Sequence, residues 1–266
     1  MIINELAIVE STEKIAYNTY RTFIRSPKIS VNIKPGQFIN ILPSKSWNMM
    51  MRRPMSVASQ DGEVISIIYK VVGDGTRIMK NWQIGEEIDL LGPLGNHWDI
   101  SIDKQSILIG GGVGIAPIIN LFDSLHESGN DKFLIMGARN KDEHFINHDP
   151  DNNIYLTTDD GSLGIHGNVL IPLKNILESI NPNSIKIFTC GPPAMMDAIR
   201  KFSISEKIEC DLALETIMAC GFGICQGCTV EYNSTKIFQH SYRNRYGLVC
   251  IDGPIFKAKD VKSCHI

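Results

Sequence analysis

Four cysteines near the C-terminus constrain this chain more than any other feature of its sequence. Cys220, Cys225 and Cys228 lie within nine residues, and Cys250 follows after the 21 residues 229–249. This C-x4-C-x2-C…C spacing is typical of plant-type [2Fe-2S] clusters. The sequence therefore predicts that the last part of the chain holds an iron–sulfur cluster on these four thiolates.

The residues between the cysteines support this interpretation. Because glycine has no Cβ, a glycine-rich loop can wrap a cluster closely and direct backbone N–H groups at its sulfides. The glycines in question are Gly221, Gly223 and Gly227. A structural four-cysteine zinc site is the alternative, although such sites usually use two short Cys pairs and need no glycine-rich loop. Cys210 and Cys264 fall outside the motif and are interpreted as ordinary buried or terminal thiols.

Composition excludes several classes of protein. The 266 residues are 43% hydrophobic and 21% charged, with a formal net charge of −3, as in globular proteins of two or three small domains. Without a Lys/Arg run, neither nucleic acid nor an anionic membrane is expected as a partner. The N-terminus has no basic signal-peptide region, and glycines with Pro117 interrupt the apolar window 105–122. We therefore expect a cytoplasmic chain with reduced thiols.

Three segments of the chain show different patterns. Residues 1–100 contain short apolar runs separated by turn signals, typical of a small antiparallel barrel or sandwich. Residues 101–210 alternate short apolar strands with helical patterns, including a helix predicted over 115–127, which indicates a parallel sheet covered on both faces. Residues 211–266 are rich in Gly and Cys. We predict three domains with these boundaries.

A glycine-rich turn opens the predicted helix of the second segment. The sequence Gly110-Gly-Gly-Val-Gly-Ile-Ala-Pro117 follows the apolar strand 107–109. Glycines at such a turn let the backbone approach a pyrophosphate, and the helix N-terminus supplies N–H groups. The Pro117 ending and the missing final glycine depart from the usual dinucleotide fingerprint, and a tight turn without a ligand is the alternative. The candidate nucleotide-binding residues are Gly110, Gly111, Gly112, Gly114 and Pro117.

A second turn of this segment, Cys190-Gly191-Pro192, follows the predicted strand 185–188. The carboxyl end of a parallel strand is where open α/β sheets bind ligands. As a pattern alone, the turn equally marks a helix that starts with proline.

The first segment contains two short polar motifs, the second of which opens a helix predicted to extend to Trp82. Arg53 and Ser56 suit a phosphate or the edge of a ring, and Gly75 and Thr76 suit a pyrophosphate held by backbone N–H groups. Ordinary turns are the alternative for both motifs.

Taken in order, these motifs resemble the ferredoxin-NADP reductase superfamily. The motifs are Arg53-Pro-Met-Ser56, Gly73-Asp-Gly-Thr76, Gly92-Pro-Leu-Gly95, Gly110–Pro117 and Cys190-Gly-Pro192. The cysteine segments 214–228 and 249–256 are similar to the electron-transfer subunits of class B, NAD-dependent dihydroorotate dehydrogenases, as is Thr158-Asp-Asp-Gly-Ser-Leu-Gly164. Together these motifs span nearly the whole chain.

The resemblance implies a fold and a set of cofactors. An FAD-binding β-barrel would be followed by a parallel-sheet NAD-binding domain and a small [2Fe-2S] domain held by Cys220, Cys225, Cys228 and Cys250. NAD would lie over the 110–117 loop, with Cys190, Gly191 and Pro192 near the nicotinamide. FAD would contact Arg53, Pro54, Met55, Ser56, Ile68, Tyr69, Lys70, Gly75 and Thr76. Two features depart from the family pattern, namely Met55 in place of an aromatic or branched residue and the long 229–249 segment.

The resemblance also implies a partner. In that family a separate FMN-containing catalytic subunit oxidises dihydroorotate, and electrons pass through the cluster and FAD to NAD+. FAD stands between the two carriers because nicotinamide exchanges electron pairs, the cluster exchanges single electrons and a flavin does both. This chain would then be an oxidoreductase subunit of pyrimidine biosynthesis with no dihydroorotate site of its own. A heterotetramer of two of each subunit is expected.

Other interpretations stay open at this point. The chain can be a flavin and iron–sulfur oxidoreductase subunit with another partner, of the sulfhydrogenase or ferredoxin-NADP reductase type, or a zinc-stabilised binding module without catalysis. The choice between NAD and NADP is also open. Arg139 and Lys141 suit a 2′-phosphate, whereas Asp142 and Glu143 disfavour one.

Overall fold

The computed structural model describes residues 1–46, 50–100, 103–125, 132–233 and 245–265. Within these ranges the chain forms a closed barrel, a seven-stranded sheet and a two-stranded sheet. No helix in the described parts combines the length and the apolar character needed to cross a membrane.

Six antiparallel strands near the N-terminus close into the barrel. They are β1 (Ile3–Ala16), β2 (Thr19–Arg25), β3 (Phe38–Leu42), β4 (Arg53–Asp61), β5 (Val64–Lys70) and β6 (Glu87–Leu94). Their order around the barrel is β1-β2-β5-β4-β3-β6. Alternate residues of β5, such as Ile65 and Ile67, fill the barrel core, whereas Ile68 faces outward. The structure thus confirms the barrel and excludes the sandwich.

Two short helices accompany the barrel, α1 (Pro27–Ser30) and α2 (Asp74–Met79). The sequence predicted that the helix now called α2 extends to Trp82. It ends earlier, and the Trp82 ring turns into the barrel core, where its Nε1 donates a hydrogen bond to the Pro43 carbonyl at 3.2 Å. The full length of β1 and its pairing with β2 had no signal in the sequence, because both strands are rich in polar residues.

The central sheet has six parallel strands and one antiparallel edge strand. The strands are β7 (Gln105–Gly111), β8 (Lys132–Ala138), β9 (Ile154–Thr158), β10 (Ile165–His166), β11 (Ile185–Cys190), β12 (Glu209–Ala213) and β15 (Ile255–Lys257). Their order is β10-β9-β8-β7-β11-β12-β15. The helices beside the sheet are α3 (Ile115–Ser124), α4 (Leu170–Leu177) and α5 (Pro193–Ser205). The predicted helix end at Glu127 lies outside the described residues.

The C-terminal segment is joined to both other parts of the structure. Its strands β13 (Thr229–Glu231) and β14 (Tyr246–Leu248) pair with each other, while β15 continues the central sheet by pairing with β12. Asn96, after the barrel, donates hydrogen bonds to the carbonyls of Asp252 and Ile255 at 3.0 and 2.9 Å. The three segments therefore pack as one unit. The boundaries 1–100, 101–210 and 211–266 stay a prediction.

Helix α3 packs on barrel strand β4. The buried Asn120 side chain donates a hydrogen bond to the Val57 carbonyl at 3.0 Å, and Ala116 packs against Ala58 and Ile68. This contact places the glycine-rich turn that opens α3 beside the strand that carries Arg53 and Ser56.

A buried ion pair connects two central strands. The Lys186 Nζ atom lies 2.9 Å from the Asp211 carboxylate, and both side chains are less than 5% exposed. Burying such a pair costs free energy because both charges lose their contact with water. If one partner is removed, the charge of the other stays buried without an opposite charge beside it.

We predict that Lys186→Met lowers the free energy of unfolding by about 3–5 kcal/mol, because Asp211 is left buried without its cation. Urea unfolding measures this. The matched control is Lys104→Met, which removes a pair to the 60% exposed Glu209 and should cost less than about 1 kcal/mol. Equal losses of unfolding free energy in the two variants would show that the buried Lys186–Asp211 pair stabilises the fold no more than the exposed pair.

Candidate functional site

A cleft of 970 Å³ opens at the carboxyl ends of the parallel strands. Its floor is formed by two turns, one after β7 and one after the adjacent strand β11. The structure therefore brings together the two nucleotide motifs that the sequence left far apart. Among the predicted residues, the cleft is lined by Gly111, Gly112, Gly114, Gly191 and Pro192. Gly110 and Pro117 do not line the cleft, and Cys190 reaches it only through its contact with the lining residue Glu215.

The two turns approach each other so closely that a side chain would not fit between them. A Cβ on Gly114 would lie 2.6 Å from Cα of Gly191. The φ angle of Gly114 is −62°, so space and not backbone conformation requires glycine there. Because backbone lines this part of the cleft, a pyrophosphate can approach its N–H groups, and a dinucleotide fits the site.

Cys190 and Glu215 form a pair at the inner end of the cleft. The buried Cys190 thiol donates a 3.7 Å hydrogen bond to the Glu215 carboxylate. Burial raises the pKa of Cys190 well above its ordinary value, and Glu215 raises it further. Glu215 is open to the cleft, but the surrounding protein raises its pKa as well. Sequence reasoning missed Glu215, whose only signal is its position two residues after β12.

Three charged residues meet at the other end of the cleft, past the end of β8. The Glu143 carboxylate accepts hydrogen bonds from Lys70 Nζ at 2.9 Å and from Arg139 Nε at 3.1 Å. A second contact joins Arg139 Nη2 to the same oxygen. The hydrogen bonds from Arg139 bring the pKa of Glu143 to about 2, with burial opposing and Lys70 assisting. Both cations are thus paired with Glu143, whose single negative charge offsets one of their two positive charges.

The predicted flavin motif occupies the start of β4. Arg53, Pro54, Met55 and Ser56 are half-buried. Arg53 lies against Gly75 and donates to the Met51 carbonyl at 2.7 Å, but no carboxylate among the described residues pairs with its guanidinium. A half-buried cation without an acidic partner suits an anionic group such as a phosphate, so these residues fit FAD.

The other predicted flavin residues lie at the end of β5 and on α2. Tyr69 points into the barrel, where its hydroxyl lies 3.2 Å from that of Thr22, and burial raises the Tyr69 pKa to about 12. Its side chain thus faces away from Ile68 and Lys70 on the outer face. The Thr76 hydroxyl accepts hydrogen bonds from the backbone amides of Val72 and Gly73, which holds the turn before α2 together.

The four motif cysteines lie in two pairs. The Cys228 and Cys250 sulfurs are buried and 3.2 Å apart, and the Cys225 amide donates to the Cys220 sulfur at 3.4 Å. A two-iron cluster takes two protein ligands per iron, so two cysteine pairs fit it.

Backbone amides of the cysteine loop also stabilise the thiolate form of Cys220, which is the form that binds a metal. Burial acts to raise the Cys220 pKa, but hydrogen bonds from the amides of Cys225, Phe222 and Ile224 outweigh it and bring the pKa to about 6. Burial and the neighbouring Cys228 raise the pKa of Cys250 to about 12. Amide donors aimed at sulfur stabilise cluster ligands in the same way. Residues 234–244 of the long 229–249 segment lie outside the described residues.

The two remaining cysteines are buried, as predicted. Burial raises the pKa of both thiols, that of Cys264 to about 12. Cys264 also lines the nucleotide cleft, although no sequence pattern marked it.

Comparisons with known proteins agree with this geometry. The model of the iron–sulfur cluster binding domain of dihydroorotate dehydrogenase B matches residues 215–262, and that of the oxidoreductase NAD-binding domain matches residues 108–201. The electron transfer subunit of dihydroorotate dehydrogenase B (NAD(+)) from Fusobacterium nucleatum is 34% identical over 96% of each chain. The subunit of that name from Listeria monocytogenes is 35% identical over 98% of this chain and all of its own. The chain belongs to the family of dihydroorotate dehydrogenase B electron transfer subunits.

Solved structures extend the comparison. The NADH-dependent reduced ferredoxin-NADP oxidoreductase superposes with a TM-score of 0.83 and 28% identity, over 97% of this chain and 90% of that one. The ferredoxin reductase of carbazole 1,9a-dioxygenase shares the fold, with a TM-score of 0.67 and 20% identity, over 78% of this chain and 67% of that one. The family models confirm the predicted iron–sulfur cluster and NAD-binding domain, and the reductase fold agrees with the predicted FAD barrel.

We predict that Gly114→Ala weakens NADH binding, because its Cβ forces apart the two turns that form the cleft floor. Overpacking of this kind costs about 1–3 kcal/mol, so the dissociation constant should rise about tenfold or more. Calorimetric titration with NADH measures it. Gly73→Ala is the control, since its Cβ meets nothing within 4 Å at a φ of −152°. Unchanged binding by Gly114→Ala would contradict the proposed cleft.

Proposed function

We propose that this chain is the electron-transfer subunit of a dihydroorotate dehydrogenase B, connecting a catalytic partner subunit to NAD+. One observation carries the proposal: the barrel motif lies between the nucleotide cleft and the cysteine loop. On one side, α3 packs on β4 and Lys70 contacts Glu143 in the cleft. On the other, Asn40 of β3 donates a hydrogen bond to the Cys220 carbonyl at 2.9 Å.

The cofactor positions follow from this arrangement. When bound, FAD exchanges electron pairs with nicotinamide and single electrons with the cluster, which suits a position between them. FAD is assigned to Arg53, Pro54, Met55, Ser56, Ile68, Tyr69, Lys70, Gly75 and Thr76, with the Tyr69 contribution limited to its backbone. The half-buried Arg53 guanidinium supports this assignment, since it is free to bind a phosphate.

The nucleotide is assigned to the turns at 110–117 and 190–192. Backbone N–H groups of these turns bind the pyrophosphate, and the Cys190–Glu215 pair lies at the inner end of the cleft toward the nicotinamide. Burial, with Glu215 assisting, raises the pKa of Cys190 and keeps the thiol protonated, and its 3.7 Å hydrogen bond to Glu215 orients it. Cys220, Cys225, Cys228 and Cys250 hold the cluster.

The surface around the cluster loop suits a protein partner. Ile224 is 75% exposed and Ile251 43% exposed beside the exposed Cys225 and Phe222. An apolar patch of this kind marks a protein interface. We assign this patch to the catalytic FMN-containing subunit that oxidises dihydroorotate, in a heterotetramer of two of each chain. The seven free thiols suit the reducing cytoplasm.

A second candidate function rests on the structural comparison. Because the NADH-dependent reduced ferredoxin-NADP oxidoreductase superposes over nearly the whole chain, the same three sites also suit a subunit that delivers electrons to a ferredoxin-type partner. The site geometry is common to both functions, so the partner distinguishes them.

Purification of the native complex tests the proposal. We expect one FAD and two irons on this chain, FMN on a co-purifying subunit, and dihydroorotate-dependent reduction of NAD+ by the complex only. A co-purifying ferredoxin-dependent subunit without FMN would favour the second candidate. Zinc in place of iron would refute both.

The charges at the outer end of the cleft indicate NAD rather than NADP. In dinucleotide folds the end of the strand after the glycine-loop strand faces the adenine ribose, where an acid binds the 2′-OH and an arginine binds a 2′-phosphate. Here Arg139 is present, but it is paired with Glu143, which also binds Lys70. Asp159 lines the same cleft and lies close enough to act on Arg139. The two carboxylates balance the two cations, so a 2′-phosphate would meet no net positive charge among these four residues.

We predict that Glu143→Gln raises affinity for NADPH relative to NADH about tenfold or more, since it removes a repelling charge and frees two cations. Dissociation constants for both nucleotides measure the ratio. Asp142→Asn removes the same charge from an exposed neighbour outside the cleft lining and should leave the ratio unchanged. Equal effects of the two variants, or a wild-type chain that prefers NADPH, would contradict Glu143 as the specificity determinant.

A further inference from the structure

A buried barrel residue contacts the loop of the first cluster cysteine. The Asn40 side chain is 1% exposed, and its Nδ2 atom donates a hydrogen bond to the Cys220 carbonyl at 2.9 Å. A Cβ on Gly221 would lie 2.1 Å from this same nitrogen. The loop therefore rests directly on the Asn40 amide, which leaves no room for any other residue at Gly221.

Asn40 is itself tightly held by the barrel. On β3 it stands opposite Pro54 of β4, inside the proposed flavin motif, and near Leu91 of β6. Arg52, which forms an ion pair with Asp89, donates to the Asn40 carbonyl at 3.4 Å. A rigid strand pair thus connects the flavin motif to the cysteine loop through one side chain.

The contact acts on the part of the loop that stabilises the thiolate. Asn40 orients the Cys220 carbonyl, and the Cys225 amide that donates to the Cys220 sulfur at 3.4 Å follows five residues later. Outer hydrogen bonds of this type orient metal ligands and tune the bound metal. The Asn40 Oδ1 atom is buried and has no hydrogen-bond partner in the described structure. The Asn40 amide is thus held in an orientation that pairs its Nδ2 donor and leaves its Oδ1 acceptor unpaired.

We propose that Asn40 is a positioning residue for the iron–sulfur cluster: its amide holds Cys220 and Gly221 against the flavin-binding strand pair. This inference rests on the proposed function. The proposed role of Asn40 differs from stabilisation of the whole fold, because its amide directly contacts Cys220, a proposed cluster ligand. Loss of the donor should therefore alter the cluster more than the fold.

The test compares two isosteric variants of the full chain, purified with its cofactors. Asn40→Asp removes the donor to Cys220. Asn96→Asp is the matched control, because it removes donors to the Asp252 and Ile255 carbonyls at another contact between the barrel and the C-terminal segment. The readouts are FAD and iron content, the electron paramagnetic resonance spectrum of the reduced protein, and the rate of iron release to a chelator.

We expect Asn40→Asp to retain FAD, to change the resonance spectrum and to release iron about tenfold faster than wild type. Asn96→Asp should match the wild-type spectrum and release rate. An unchanged spectrum and release rate in Asn40→Asp, or equal changes in both variants, would overturn the proposal. If Asn40→Asp does not fold, Asn40→Ser, whose shorter side chain cannot reach the carbonyl, takes its place with the same two outcomes. Wild-type protein without iron or flavin would instead refute the proposed function.

Discussion

The pairing of β15 with β12 is the interaction on which the rest of the arrangement depends. Three residues of β15 extend the central sheet, with Phe256 opposite Leu212. The preceding turn is bound by Asn96 after the barrel. The pairing of β13 with β14, in which Thr229 stands opposite Leu248, brings Cys250 to Cys228. The β15–β12 pairing then fixes this hairpin to the central sheet.

A second constraint is the packing of backbone against backbone at the centre of the molecule. The turns at Gly114 and Gly191 touch each other, and α3 touches β4 through Asn120. These contacts leave the nucleotide cleft, the flavin motif and the cysteine loop on adjoining surfaces. Charged groups then complete the cleft: Glu143 pairs with Arg139 and Lys70 at the outer end, and Glu215 accepts a hydrogen bond from Cys190 at the inner end.

Several elements could be predicted because local chemistry determines them. The apolar run 64–69 appears as β5, and the glycine turn at 110 opens a helix. Other elements lacked a local signal. Strand β15 is three residues long, so no periodicity could mark it, and α2 ends at Met79 because Trp82 turns into the barrel core. Asn40 gave no signal in the sequence, because its significance comes from a loop that is distant along the chain.

The sequence by itself determined much of the chemistry: cysteine spacing indicated a cluster and glycine turns indicated a nucleotide, whereas the flavin at Arg53 and its neighbours followed only from the family resemblance. Spacing and residue type suffice where a short segment supplies most of the groups that bind. Only the tertiary structure decided how the motifs meet. The Cys190–Glu215 pair, the shared pairing of Arg139 and Lys70 with Glu143, and the Asn40 contact depend on packing rather than on local sequence.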